Sequence, residues 1–179
     1  GGIAKGSGMI APNMATMLCF LTTDAAIAPA LLQDALRDVV VDTFNMMSVD
    51  GDTSTNDTVA IMANGAAGNA PVTEKGADYD AFAAALKTIC VQLCRELAAD
   101  GEGATKLLEC RVTGAKTKQD ARIVAKAVIE SSLLKAAMFG EDANWGRVLC
   151  AIGYSGAEFA PKDVAVSFQS KGGALQVCA

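Results

Sequence analysis

The sequence predicts an α/β fold in layers, with helices packed on the faces of a β-sheet. Two patterns point to it. Short apolar runs of strand character alternate with segments whose apolar residues recur every three to four positions. Half of the residues, 51%, are hydrophobic, and 179 residues suffice for one domain with a substantial core. No internal repeat and no linker divides the chain.

Residues 1–15 are Gly-rich and aperiodic, and Met17–Thr23 reads as a buried strand. Pro29 stands where a first helical turn tolerates it. Leu31, Leu32, Ala35, Leu36, Val39, Val40 and Thr43 then share one helical face. Ser48–Thr58 (SVDGDTSTNDT) is a loop crowded with short polar side chains, and Val59–Met62 resumes as a strand. Asn64–Gly76 is a turn-rich connector. Asp78 is the expected N-cap of a long helix over Tyr79–Ala99 carrying Phe82, Leu86, Ile89, Leu93 and Leu97, ended by Gly101 and Gly103. Leu107–Val112 has the pattern of a strand. Thr117 with Asp120 resembles a capping box for a helix bearing Ile123, Val124, Ala127 and Val128. A further helix is expected over Val148–Ile152. Val164–Phe168 and Ala174–Val177 form a closing hairpin.

Composition excludes whole classes of function. Fifteen Lys and Arg against twenty Asp and Glu leave a net charge of −5, and no basic run exceeds two residues, so nucleic acid and anionic membrane are not expected partners. No apolar stretch reaches the length of a membrane span, and the opening residues do not have the basic-then-apolar pattern expected of a signal peptide. The six cysteines form no CxxC pair, which argues against a zinc site. Most lie in apolar runs, as small buried hydrophobes would in a reducing, cytoplasmic compartment. There is no histidine. Histidine-based triads and histidine metal sites are therefore excluded, and no metal is expected.

A nucleophilic enzyme without histidine must activate Ser, Thr or Cys by another route. An N-terminal threonine can use its own α-amine as the base, once backbone cleavage has released it. Thr16 is the candidate: it follows Ala15 where the Gly-rich segment enters a strand. Glycines there permit close backbone approach. On composition alone, an ordinary loop-to-strand threonine explains it as well. Glu102, between Gly101 and Gly103, is either a carboxylate presented to a cationic ligand or a solvated side chain at a helix end. Trp145, between Asn144 and Arg147, is read first as a packing anchor. The Asp50/Asp52/Asp57 loop lacks the glycine and glutamate of an EF-hand, so it is a solvated or site-lining loop.

These segments together resemble the ornithine acetyltransferase family, the bifunctional glutamate N-acetyltransferase/amino-acid acetyltransferases of arginine biosynthesis. Lys5–Leu18 (KGSGMIAPNMATML) resembles the family's self-cleavage motif. Ser48–Val59, Asp100–Lys106 and Phe139–Arg147 resemble three further blocks in family order. The resemblance implies an α/β sandwich of mixed β-sheets with helices outside, and self-cleavage between Ala15 and Thr16. Residues 1–15 would then end an α chain and residues 16–179 would belong to a β chain. Thr16 would be the nucleophile, accepting an acetyl group from N-acetylornithine and passing it to glutamate by ping-pong exchange. Lys5, Thr16 and Glu102 would contact substrate. No bound cofactor is implied, although acetyl-CoA serves some members as donor. The expected assembly is (αβ)2.

Family members also carry an upstream Thr-Gly pair forming the oxyanion hole and a C-terminal substrate-contacting segment, and neither matches anything in 1–179. The resemblance therefore covers a fragment of such a protein. Two alternatives stand beside it: a related self-processing aminopeptidase or amidohydrolase, with water as acceptor, and an uncleaved, inactive fragment.

Overall fold

The computed structural model describes residues 1–11 and 17–178, which form two compact units, Gly1–Ala104 and Thr105–Ala179. In the first, strands β1 (Gly2–Lys5), β2 (Leu18–Thr23) and β3 (Thr58–Ala63) form a mixed sheet in the order β1-β2-β3. β1 runs antiparallel to β2, and β3 runs parallel to it in the register Leu18↔Thr58 to Thr23↔Ala63. A parallel pair needs a long crossover. Helix α1 (Pro29–Val41) lies within it, with Pro29 in its first turn. Helix α2 (Ala77–Ala99) follows β3.

Helices and sheet meet through Cys19 and Leu21 of β2, Ala35, Leu36 and Val39 of α1, and Leu86, Cys90, Cys94 and Leu97 of α2. Phe44 is fully buried beneath them. Truncating it to alanine should cost about 3–5 kcal/mol, the usual penalty for emptying a buried aromatic site. Successive strand residues face opposite ways, so Ile3 and Phe20, paired across β1 and β2, are left exposed with Met62 of β3.

In the second unit, helices α3 (Lys118–Glu130), α4 (Ser132–Phe139) and α5 (Trp145–Tyr154) precede a hairpin of β4 (Val166–Ser170) and β5 (Gly173–Cys178). Its core is Val128, Leu134, Val148, Ala151 and Val166. Among the described residues, no helix is long and apolar enough to cross a membrane.

The expected α/β layering with a mixed sheet is observed. Several local expectations are corrected. The Gly-rich start contains strand β1, because tertiary pairing with β2 supplies a ladder that four residues could not sustain alone. Gly76, without a side-chain hydrogen bond, is the N-cap of α2, and Asp78 sits inside the first turn with Asp80. There both carboxylates face the positive end of the helix dipole. The buried stripe of α2 is rotated toward Cys90 and Cys94, leaving Phe82, Ile89 and Leu93 half-buried. Leu107–Val112 forms no strand: Leu108, Cys110 and Val112 keep a two-residue burial alternation, but no ladder partner is present among the described residues. Helix α4 was not expected. Ser131 ends α3 and caps α4, its hydroxyl accepting from the Leu134 amide at 3.3 Å. The Thr117 cap is as expected, its hydroxyl accepting from the Asp120 amide at 3.0 Å.

Candidate active site

Lys5 is the last residue of β1 and opens onto a cleft of about 490 Å³ lined also by Ser7, Leu93, Glu96, Leu97 and Asp100. Glu102 reaches the same region because α2 ends at Ala99 and the chain turns back. The Glu102 amide donates to the Ser7 carbonyl at 2.6 Å. Gly8 lies beneath the Glu102 carboxylate, and a Cβ at Gly8 would stand 2.9 Å from Oε2. Only glycine admits that approach without displacing the carboxylate. Gly103, at φ 72°, supplies the left-handed turn that follows. Lys5 and Glu102 are both exposed, and among the described residues neither is in an ion pair. Their charges stay available to a ligand.

Ala15 and Thr16, the expected cleavage pair and nucleophile, lie outside the described residues. The chain on either side of residues 12–16 is held by the loop that joins a single 3₁₀ turn, Phe44–Met46, to β3. The Val49 amide donates to the Ile10 carbonyl at 2.6 Å, and the Thr53 hydroxyl to the Ala11 carbonyl at 3.5 Å. Asp50 accepts from the Met9 amide at 2.5 Å and from the Ile10 and Asp52 amides at 3.0 Å each. On the far side, Asp57 Oδ1 accepts from the Met17 amide at 2.6 Å, and the Thr58 amide donates to the Met17 carbonyl at 2.9 Å.

Burial pushes the Asp50 carboxyl up, but the amides of Asp52, Met9 and Ile10 outweigh it and hold it below its ordinary value. Met9 has φ 54°. A non-glycine residue there carries about 1–3 kcal/mol of backbone strain, held in place by its surroundings. The anchor at Asp50 is one such restraint.

The structure thus brings together the Lys5–Gly8 and Asp100–Gly103 segments, and it makes the aspartate loop a support for the chain around them. That loop is exposed at Asp50 and Asp52, and the carboxylates of Asp50 and Asp57 accept from backbone amides. Sequence reasoning missed the separate tasks of Asp50 and Asp57, since their spacing fits no metal or catalytic motif. The density of short polar residues in 48–58 was the available signal. In the second unit, Asn144 caps α5 through the Arg147 amide at 3.2 Å. Trp145 is 46% exposed, so the packing role first read for it is corrected: it begins a helix at the surface of its unit.

The fold is mixed α/β, and among the described residues Lys5 and Glu102 stand without an ion pair near Met9 and Ile10, which Asp50 holds. The comparisons specify the family. The ArgJ family model matches residues 1–179, and the chain belongs to the ArgJ family. It is 53% identical over 176 residues to arginine biosynthesis bifunctional protein ArgJ 1 of Clostridium acetobutylicum, covering 98% of this chain and 43% of that protein. With arginine biosynthesis bifunctional protein ArgJ of Symbiobacterium thermophilum it shares 62% identity over 161 residues, 90% of this chain and 40% of that one. The crystal structure of the bifunctional protein ArgJ from Bacillus halodurans superposes with a TM-score of 0.79 at 50% identity, covering 82% of this chain and 68% of that chain. The chain therefore spans about two-fifths of the length of these curated relatives. The family resemblance drawn from the four sequence blocks is borne out.

Proposed function

We propose that this chain carries the self-cleaving, nucleophile-bearing part of a glutamate N-acetyltransferase that takes its acetyl group from N-acetylornithine in arginine biosynthesis. The observation that supports the reading is the convergence of Lys5, Gly8 and Glu102, with Asp50 holding the Ile10 amide and Asp57 the Met17 amide. The names of the relatives, which place them in arginine biosynthesis, support the pathway.

Self-cleavage begins when the Thr16 hydroxyl oxygen bonds the Ala15 carbonyl carbon. The Ala15–Thr16 C–N bond breaks, and the nitrogen takes the hydroxyl proton. Water then hydrolyses the ester, leaving Ala15 as a carboxylate and Thr16 with a free amine. In catalysis that amine takes the proton of the Thr16 hydroxyl as its oxygen bonds the acetyl carbon of N-acetylornithine. The C–N bond to ornithine breaks and its nitrogen receives the proton. The amine of glutamate next attacks the acetyl-threonine ester, and the threonine oxygen leaves and is protonated again. No cofactor enters the cycle, and acetyl-CoA would serve only as an alternative donor.

Lys5 suits the α-carboxylate of either amino acid, and Glu102 the terminal ammonium of ornithine. The protein would act in the cytoplasm as an (αβ)2 assembly. An oxyanion donor is typically worth about 10²–10³ in rate, so the chain by itself should turn over slowly.

Intact mass and N-terminal sequencing test the first half of the reading. A new terminus reading Thr16-Met17-Leu18, absent in Thr16→Ala, supports it, and a single uncut species refutes it. Product analysis with N-acetylornithine and glutamate tests the second half. N-acetylglutamate supports transfer, whereas free acetate alone would mean an amidohydrolase. Glu102→Gln should raise KM for N-acetylornithine, and unchanged kinetics for both substrates would remove Glu102 from the site.

A further inference from the structure

The cleft at the end of β1 has walls of opposite charge. Lys5 stands on one side. The last turns of α2 line the other with Glu96 and Asp100, both exposed, together with the half-buried Leu93 and the buried Leu97. At about 490 Å³ the cleft is within the size range of small-molecule sites, about 300–1,000 Å³. Asp100 is the C-cap of α2, its amide donating to the Glu96 carbonyl at 3.0 Å. Its carboxylate has no hydrogen bond or ion pair among the described residues. Glu96 differs, since its Oε1 accepts from Gln92 Nε2 at 2.8 Å.

Helix electrostatics do not explain an acid at that position. The carbonyl end of a helix carries partial negative charge and favours Lys or Arg, yet α2 has no basic residue in its last turn. The charge on Asp100 therefore works against its own helix, and residues that break a local rule are expected where a site needs them. Gly101 separates it from Glu102. A Cβ there would stand 3.0 Å from Val49 Cγ1 and 3.3 Å from the Ala98 carbonyl oxygen, so the glycine is packed inward between two exposed acids. Glu102 lies over Gly8, and Asp100 lines the cleft with Lys5.

The proposed exchange sets an electrostatic problem. The side chain of N-acetylornithine ends in an ammonium, and that of glutamate ends in a carboxylate. In ping-pong exchange the two enter one site in turn, so a single set of protein charges must accept both. Lys5 attracts the α-carboxylate of either. A carboxylate on the opposite wall attracts the side chain of the donor and repels that of the acceptor. We infer that Asp100 is a specificity-determining residue for this exchange, its carboxylate favouring the donor's ammonium over the acceptor's side-chain carboxylate. The inference rests on the transfer reading above. In the first half-reaction Asp100 offsets the repulsion between Lys5 and the donor's ammonium. In the second it weakens the hold on glutamate, and its charge thereby sets the balance between the two. Leu93 and Leu97 give the methylenes that both side chains share an apolar surface in the same cleft.

The test is the kinetics of Asp100→Asn, which keeps the shape of the side chain and removes its charge. N-acetylornithine and glutamate are varied separately, and N-acetylglutamate is read by mass spectrometry. In ping-pong exchange kcat/KM for each substrate reports its own half-reaction. An exposed charge pair is worth a factor of up to about five. Asp100→Asn should therefore lower kcat/KM for N-acetylornithine about two- to fivefold and raise that for glutamate by a similar factor. High salt should shrink both differences, because exposed charges are screened, and Asp100→Glu should keep both values near wild type. A purely structural role, a loosened end of α2, would move both substrates the same way. Parallel changes, or none, overturn the inference. Asp100→Ser removes the same charge, and the same opposed changes are required of it should Asp100→Asn fail to fold. A wild-type chain that makes no N-acetylglutamate overturns the transfer reading and this inference together, whereas an active chain without opposed changes overturns this inference alone.

Discussion

Replacing Asp50 measures how firmly the aspartate loop holds the chain at Met9 and Ile10. Its two oxygens are used differently: Oδ2 serves the Met9 amide, and Oδ1 serves the amides of Ile10 and Asp52. Asparagine keeps one acceptor oxygen, so the less costly arrangement retains Ile10 and Asp52 and turns an amide group toward Met9. The loss is one charge-assisted bond, about 1–2 kcal/mol. Alanine loses all three. The Met9 and Asp52 amides are exposed and water replaces much of their loss, while Ile10 is fully buried, which sets the total near 2–3 kcal/mol.

The reporter is hydrogen exchange at the Val49 amide, which donates to the Ile10 carbonyl and keeps that acceptor in both variants. Protection there should fall about tenfold for each 1.4 kcal/mol, more in Asp50→Ala than in Asp50→Asn. The pH dependence has a definite sign. The folded carboxyl lies below its ordinary value of 3.8, so its stabilisation is fully present above about 3.8 and is lost as pH falls through the lower folded value. The gap between wild type and variants should therefore close in acid. Val49 protection within a factor of two of wild type in both variants, or a gap that widens in acid, would refute the anchoring role.

Gly8→Ala should leave the stability of the first unit within about 1 kcal/mol, because a Cβ at 2.9 Å from Glu102 Oε2 pushes only the end of a flexible side chain. Under the proposed function KM for N-acetylornithine should nevertheless rise, and an unchanged KM would show that the carboxylate is not held there for substrate. The native thiols should differ sharply toward iodoacetamide at pH 8, as mass mapping would show. Cys150 is exposed, whereas Cys19 and Cys90 are buried with pKa values pushed up to about 11 by burial first, so Cys150 should be labelled well before either. Equal rates would mean that the α2–β2 core opens readily.

The sequence by itself determined the elements whose signals are local. The face of α1 from Leu31 to Val40 follows from spacing, the start of α3 from Thr117 and Asp120, and the closing hairpin from two apolar runs around a glycine turn. It also determined that residues 1–179, which contain no histidine, supply no imidazole base of their own. The residues proposed to meet substrate, Lys5 and Glu102, were legible through the wording of family blocks, not through periodicity.

Tertiary structure decided whatever depends on a partner far along the chain. Gly2–Lys5 is a strand only because β2 accepts its ladder, and Leu107–Val112 keeps a strand's alternation yet is none because no ladder meets it among the described residues. The same holds at the site. Lys5 and Glu102 are 97 positions apart in number, and the Ser7 carbonyl that draws their segments together has no local signature. Asp50 and Asp57 look alike in sequence, two short acids in a polar loop. They differ because one loop end passes Met9 and Ile10 while the other is pinned by the β2–β3 register beside Met17. Hydrogen-bond direction and register are properties of the assembled chain, and no pattern of residue types along a line encodes them.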